Sequence, residues 1–125
     1  MNSREVGNIG LVETIAWFVR NGYRVSVPLT DTQPYDLIVD DHKNLSRVSV
    51  KYTGQVDSKS GVSQVGLRTV GSNTKKTTVK HFDRESCDVL FVVCSNGEKY
   101  LIPSQDIHNS NSINLGEKYQ GYICQ

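Results

Sequence analysis

The spacing of apolar positions changes twice along the chain. From Ser3 to Gly22 it predicts a helix: Ser3 is the expected N-cap, Glu5 falls in the first turn, and Gly22 is the expected stop. At about 100° per residue, Leu11, Ile15 and Phe18 share one side, while Val6, Ile9, Glu13 and Trp17 share the other. A helix apolar on two sides is expected to be covered on both. The period then shortens to two. Tyr23–Pro28, Tyr35–Asp40 and Ser46–Thr53 read as strands, the last two joined as a hairpin across Asp40–Asn44. Val62–Val70 reads as a fourth strand, Gly71–Thr78 as a polar loop and Val79–Glu85 as a short helix. Cys87–Cys94 is the most continuous apolar run, and Asn96-Gly97 is a hairpin turn leading into Lys99–Pro103. Ser104 is expected to cap a helical turn, and the tail from Asn109 shows no clear element. The order predicts a single α+β domain over residues 1–125, with the N-terminal helix on a mixed central sheet.

Charge adds a position to this outline. The 125-residue chain carries a formal +1, but Ser58–His81 holds five positive charges (Lys59, Arg68, Lys75, Lys76 and Lys80) and no carboxylate, which leaves −4 elsewhere. An average near neutrality argues against a uniformly basic coat protein or an acidic tail protein; the segregation points to one phosphate-binding face. No apolar run approaches the ~18–20 residues of a membrane span, and the first residues, MNSREVGNIG, form no secretory leader. Cys87, Cys94 and Cys124 lack C-x-x-C spacing, and Cys94 ends an apolar run as a buried thiol, so an intracellular, cytoplasmic setting is expected.

Two groups carry candidate chemistry. Asp36 opens one strand of the expected hairpin and Lys51 lies near the end of the other, so antiparallel pairing brings them to the same end. Such a pair is either an edge salt bridge or a site where a carboxylate holds a divalent ion and a lysine positions a water. The second group is the basic segment. Lys75, Lys76 and Lys80 suit phosphate contacts, with interleaved Ser and Thr as short-range donors. Gln64 and Arg68, on an alternating strand, are candidate base readers of a β-ribbon. His81 and Phe82 read as structural, and Trp17, Phe18 and Phe91 as core. The three histidines share no metal-ligand spacing. Glu13 reads as a carboxylate bonded to Arg20 or to water.

The stretches Gly7-Asn-Ile-Gly, Asn21–Leu29, Pro34-Tyr-Asp-Leu-Ile-Val-Asp-Asp41 and Arg47-Val-Ser-Val-Lys51 resemble the PD-(D/E)XK nuclease superfamily. They are most similar to the branch containing the cyanobacterial group I intron homing endonucleases. Cys87–Val93 and Lys99–Pro103 resemble that branch's closing strands, so the likeness spans about residues 4–108 and leaves 109–125 as a polar tail; the tail and the first helix are the candidate interface elements. The resemblance implies a restriction-endonuclease-like core, duplex DNA as partner and magnesium or manganese as cofactor. It also implies an assembly of two or four copies, since one site serves one strand. By this likeness Asp36 is the metal-binding aspartate, Lys51 the catalytic lysine, and the Val50 carbonyl a further metal ligand. Ser49 stands where the family carries an acid, or this branch a glutamine. Leu11 aligns with a helix glutamate that faces the metal in many members, and Glu13 lies about 200° around the helix from it. Three readings follow: a metal-dependent DNA endonuclease; a DNA-binding protein of the same fold with an impaired site at Ser49 and Leu11; and a protein-interaction module whose basic segment meets an acidic partner.

Overall fold

The computed structural model describes residues 1–72 and 77–125. Helix α1 spans Ser3–Arg20. Among the described residues nine strands follow: β1 Arg24–Ser26, β2 Leu37–Asp40, β3 Leu45–Thr53, β4 Gln64–Gly66, β5 Thr69–Ser72, β6 Thr77–Lys80, β7 Val89–Cys94, β8 Lys99–Pro103 and β9 Ser112–Asn114. Single 3₁₀ segments lie at Ser104–Asp106 and Glu117–Tyr122. The main sheet has the order β1-β2-β3-β7-β8; β3 and β7 are parallel and the other neighbours antiparallel. Parallel strands require a crossover. Here it is Gly54–Asp88, which holds β4, the β5–β6 hairpin and all of the basic segment.

The N-cap is Asn2 rather than the expected Ser3: its Oδ1 accepts the Glu5 N–H at 2.9 Å. At the other end the expected stop holds. Gly22 has φ +86°, and the Gly22 and Tyr23 N–H groups donate to the Val19 and Phe18 carbonyls, closing the last turn.

The helix is buried on one face, not two. Gly10, Thr14 and Phe18, at i, i+4 and i+8, form the seat, while Val12 and Val19 remain 64% and 56% exposed. Two of the seat residues are small, so the apolar pattern did not register them. They let the helix approach closely: a Cβ on Gly10 would stand 3.0 Å from that of Tyr52. Phe18, Leu37, Val39, Val48, Phe91 and Val93 form the core on this side. Half-buried Trp17 packs its ring 5.0 Å from that of Phe18 and 5.3 Å from that of Phe91.

The opposite face of the sheet is covered too. Leu90, Val92, Cys94, Tyr100 and Ile102 pack there against Val65, Leu67, Ile107, Ile113, Leu115 and Tyr119. Burial on both faces explains the unbroken apolar run of β7. It also corrects the reading of the tail. Ser112–Asn114 pairs antiparallel with β4, and Ile113, Leu115 and Tyr119 are buried, so residues 109–125 complete the second core. Three further expectations change. Val62–Val70 is two strands that break at Leu67-Arg68, where the Leu67 N–H turns to the Asn111 carbonyl. Of the expected loop at 71–78, residues 73–76 lie outside the described residues, while Gly71 and Ser72 belong to β5 and Thr77 and Thr78 to β6, which pair antiparallel. The expected helix at 79–85 ends strand β6 and continues as an irregular segment. Val and Thr are β-formers, and in this run the interleaved charges masked their pattern. Ser104 begins the 3₁₀ turn, but its hydroxyl donates to the Cys87 carbonyl at 2.6 Å instead of capping it.

Candidate active-site cleft

Strand β3 pairs with β2 through Leu37 opposite Val48. The Asp36 N–H also donates to the Val48 carbonyl, at 2.9 Å, so two residues of one strand face a single residue of the other. This is bulge geometry, which re-aims a side chain at a strand end. Here it turns the Asp36 carboxylate onto the open edge of β3, where Oδ2 accepts the Val50 N–H at 2.7 Å. In an extended strand, the N–H and carbonyl of one residue point the same way. The Val50 carbonyl therefore faces the Asp36 edge as well. Val48, Val50 and Tyr52 pack on the helix side of the sheet, so alternation sends Ser49 and Lys51 to the other side.

That other side holds a cleft of about 630 Å³. Asp36, Ser49, Val50 and Lys51 line it together, as the hairpin reading required. Asp36 and Lys51 are not joined as a salt bridge: among the described residues the ion pairs are Arg24–Asp40, Arg47–Asp88 and Lys99–Glu13. Lys80, His81, Phe82 and Asp83 form part of the wall, and the turn carrying Asp31 and Gln33 forms another part.

Leu11 and Glu13 do not line the cleft. Leu11 packs against the helix-side core. Glu13 Oε2 lies 3.5 Å from Lys99 Nζ, so its partner is neither Arg20 nor water alone. Lys75 and Lys76 lie outside the described residues. Gln64 and Arg68 sit beside a second groove, about 310 Å³, with Gln55, Gly66, Asn111 and Ser112. His81, expected to be structural, lines the cleft with its Nδ1 2.7 Å from Asn111 Oδ1. The carboxylates of Asp31 and Asp83, which the sequence reading does not single out, line it as well; the sequence signal for Asp83 is its place just after the basic segment.

The donor set suits a hydrated hard cation. Asp36 contributes carboxylate oxygens and Val50 a carbonyl on the same edge. Among the described residues no three His, Cys, Asp or Glu side chains cluster as a metal cage. Magnesium is commonly held this way, by one or two carboxylates with several waters and a substrate phosphate.

Residues 1–121 match a family described as PD-(D/E)XK endonuclease. The chain belongs to that family. In this PD-(D/E)XK endonuclease, Asp36, Ser49, Val50 and Lys51 share the one cleft. Among solved structures, a bacterial homing endonuclease, I-Ssp6803I, superposes with TM-score 0.82 at 22% identity. The match covers 98% of this chain and 89% of that one, and it shows the shared fold. No curated protein matches the sequence.

Proposed function

We propose that this PD-(D/E)XK endonuclease hydrolyses phosphodiester bonds in duplex DNA with magnesium or manganese. The observation that carries the reading is that Asp36, Ser49, Val50 and Lys51 share one cleft, with Asp36 held by the Val50 N–H. The Asp36 carboxylate and the Val50 carbonyl would hold the ion, which supplies Lewis acidity toward a phosphate oxygen and a bound water. Lys51 orients the attacking water and places a positive charge beside the developing anionic phosphorane. Ser49 adds a neutral donor where a carboxylate would raise metal affinity. Lys80 lies on the cleft wall to meet the phosphate backbone, Gln64 and Arg68 beside the neighbouring groove would read base edges, and Lys75 and Lys76 add phosphate-binding charge to the same stretch of sequence. Cutting both strands requires at least two copies, so a homodimer or homotetramer is part of the proposal, as is a homing-type role in the cell interior.

A second reading is favoured by the same cleft: Ser49 replaces the acid and Leu11 lies outside the site, which suits a DNA-binding protein that cuts poorly. One assay separates the two. The purified protein is incubated with a random duplex library in magnesium or manganese, and binding and cutting are scored apart. Cutting that disappears in Asp36→Asn and Lys51→Ala supports the nuclease. Binding without cutting supports the second reading. Absence of binding at low salt excludes both and leaves the protein-interaction module.

A further inference from the structure

The β4–β9 ribbon carries recognition chemistry that the cleft does not use. Val65 and Ile113, directly paired across the ribbon, are buried in the core. Alternation therefore turns Gln64 and Gly66 of β4, with Ser112 and Asn114 of β9, outward. Gln64 stands opposite Asn114, and Gln64 Nε2 donates to Asn114 Oδ1 at 2.9 Å. This one bond orients two amides. It leaves Gln64 Oε1 as an acceptor and Asn114 Nδ2 as a donor, and neither is engaged elsewhere among the described residues.

A carbonyl and an N–H side by side are the complement of one base edge. In the major groove adenine offers the N6 amino donor and the N7 acceptor, and an Asn or Gln amide commonly takes both. Here two amides on neighbouring strands share the task, and their mutual hydrogen bond fixes their orientation before DNA arrives. The support has the right shape, since a two-stranded antiparallel ribbon fits the major groove. Space beside Gly66 is open: a Cβ there would meet nothing within 4 Å. Lys118 flanks Gln64 and Asn114 in the adjoining groove, placed for a phosphate. Asn111 joins ribbon to cleft, through its side-chain oxygen to cleft residue His81 and its carbonyl to the Leu67 N–H at 2.8 Å. A duplex with its phosphate in the cleft thus has this ribbon as the neighbouring surface.

We propose that the Gln64–Asn114 amide pair reads an adenine in the major groove, which makes the C-terminal strand β9 part of the specificity surface. The proposal rests on the duplex-DNA reading above. Its test is selection from a random duplex library by the full chain and its variants, with calcium for binding and magnesium or manganese for cutting. The wild type should select an A·T pair at a fixed position. Asn114→Ala should flatten that position, with preference falling by about tenfold. Asn114→Asp replaces the free donor by an acceptor and should shift the position toward cytosine, whose N4 amino group donates. Lys118→Ala should weaken binding to all sequences alike and lower the salt slope by about one, with the base profile unchanged. A position-specific preference that survives in both Asn114 variants overturns the proposal, as does a uniform loss of affinity in Asn114→Ala. Either result leaves the nuclease reading intact. Failure of the wild type to bind duplex DNA at low salt overturns the duplex-DNA reading and this proposal together.

Discussion

At the residue scale, the weight falls on position 49. Ser49 lines the cleft beside Asp36, two residues before Lys51, where a neutral hydroxyl gives a hard cation little. Ser49→Asp should therefore raise magnesium-dependent cutting by at least about tenfold, equivalent to ~1.4 kcal/mol of added interaction; single-turnover rates across a magnesium titration check this. Leu11→Glu should bring no such gain. Leu11 packs on the helix-side core, not on the cleft, and a carboxylate there should instead cost about 1–3 kcal/mol in denaturant unfolding. Lys51→Ala should lower the cutting rate by about 10²–10⁴-fold while DNA binding persists. Asp36 and Lys51 were legible from spacing because a hairpin brings its two ends together. Asp83 and His81 were not, because they reach the cleft from the crossover, 30 or more positions after Lys51. The thiols behave as their apolar neighbours suggested: Cys94 is buried, and burial holds it above its ordinary pKa.

At the element scale, the crossover and its return decide the geometry. The start of β7 is tied to β3 by Asp88. Its Oδ2 accepts the Arg47 N–H at 2.8 Å and the Arg47 Nε–H at 3.3 Å, while its own N–H donates to the Arg47 carbonyl at 2.9 Å. The Arg47 guanidinium, followed by the Arg47 backbone N–H, holds the Asp88 carboxyl below its ordinary value. A carboxyl depressed in the folded state contributes stability above its unfolded pKa, near 3.9, and loses it as pH falls through the lower folded value. Thermal unfolding between about pH 5 and pH 2 should accordingly fall less steeply in Asp88→Asn than in the wild type. The half-exposed position of the pair keeps the effect small. At the seat of α1, Gly10→Val would force branched methyls against Tyr52, a loss of about 1–3 kcal/mol measured by urea unfolding. These contacts explain why the two-sided reading of the helix failed: glycine and threonine at the seat carry little apolar signal, yet they set the approach distance.

At the scale of the whole molecule, the sheet has two cores, and the tail closes the second. Ile113 is 1% exposed although its segment is rich in Asn, Ser and Gly. Ile113→Ala should destabilise the protein by about 2–5 kcal/mol, a value that a surface segment would not approach. The five cations of 58–81 form a stretch of the crossover without a carboxylate, bounded by Asp57 before it and Asp83 after it. Binding to duplex DNA should weaken steeply with salt, with a log–log slope that reports the phosphates neutralised.

Local sequence set the helix at the N-terminus, the β2–β3 and β7–β8 hairpins, the approach of Asp36 and Lys51 to one cleft and the run of positive charge along residues 58–81. Each of these depends on local spacing, turn chemistry or a short link, which act within a few residues of one another. Tertiary structure alone decided three other things: the bulge that re-aims Asp36 onto β3, the pairing of β9 with β4, and the exclusion of Leu11 and Glu13 from the cleft. Those follow from contacts between residues 14 to 86 positions apart. There, burial of Ile113, Leu115 and Tyr119 against the sheet outweighs what their polar neighbours would otherwise prefer.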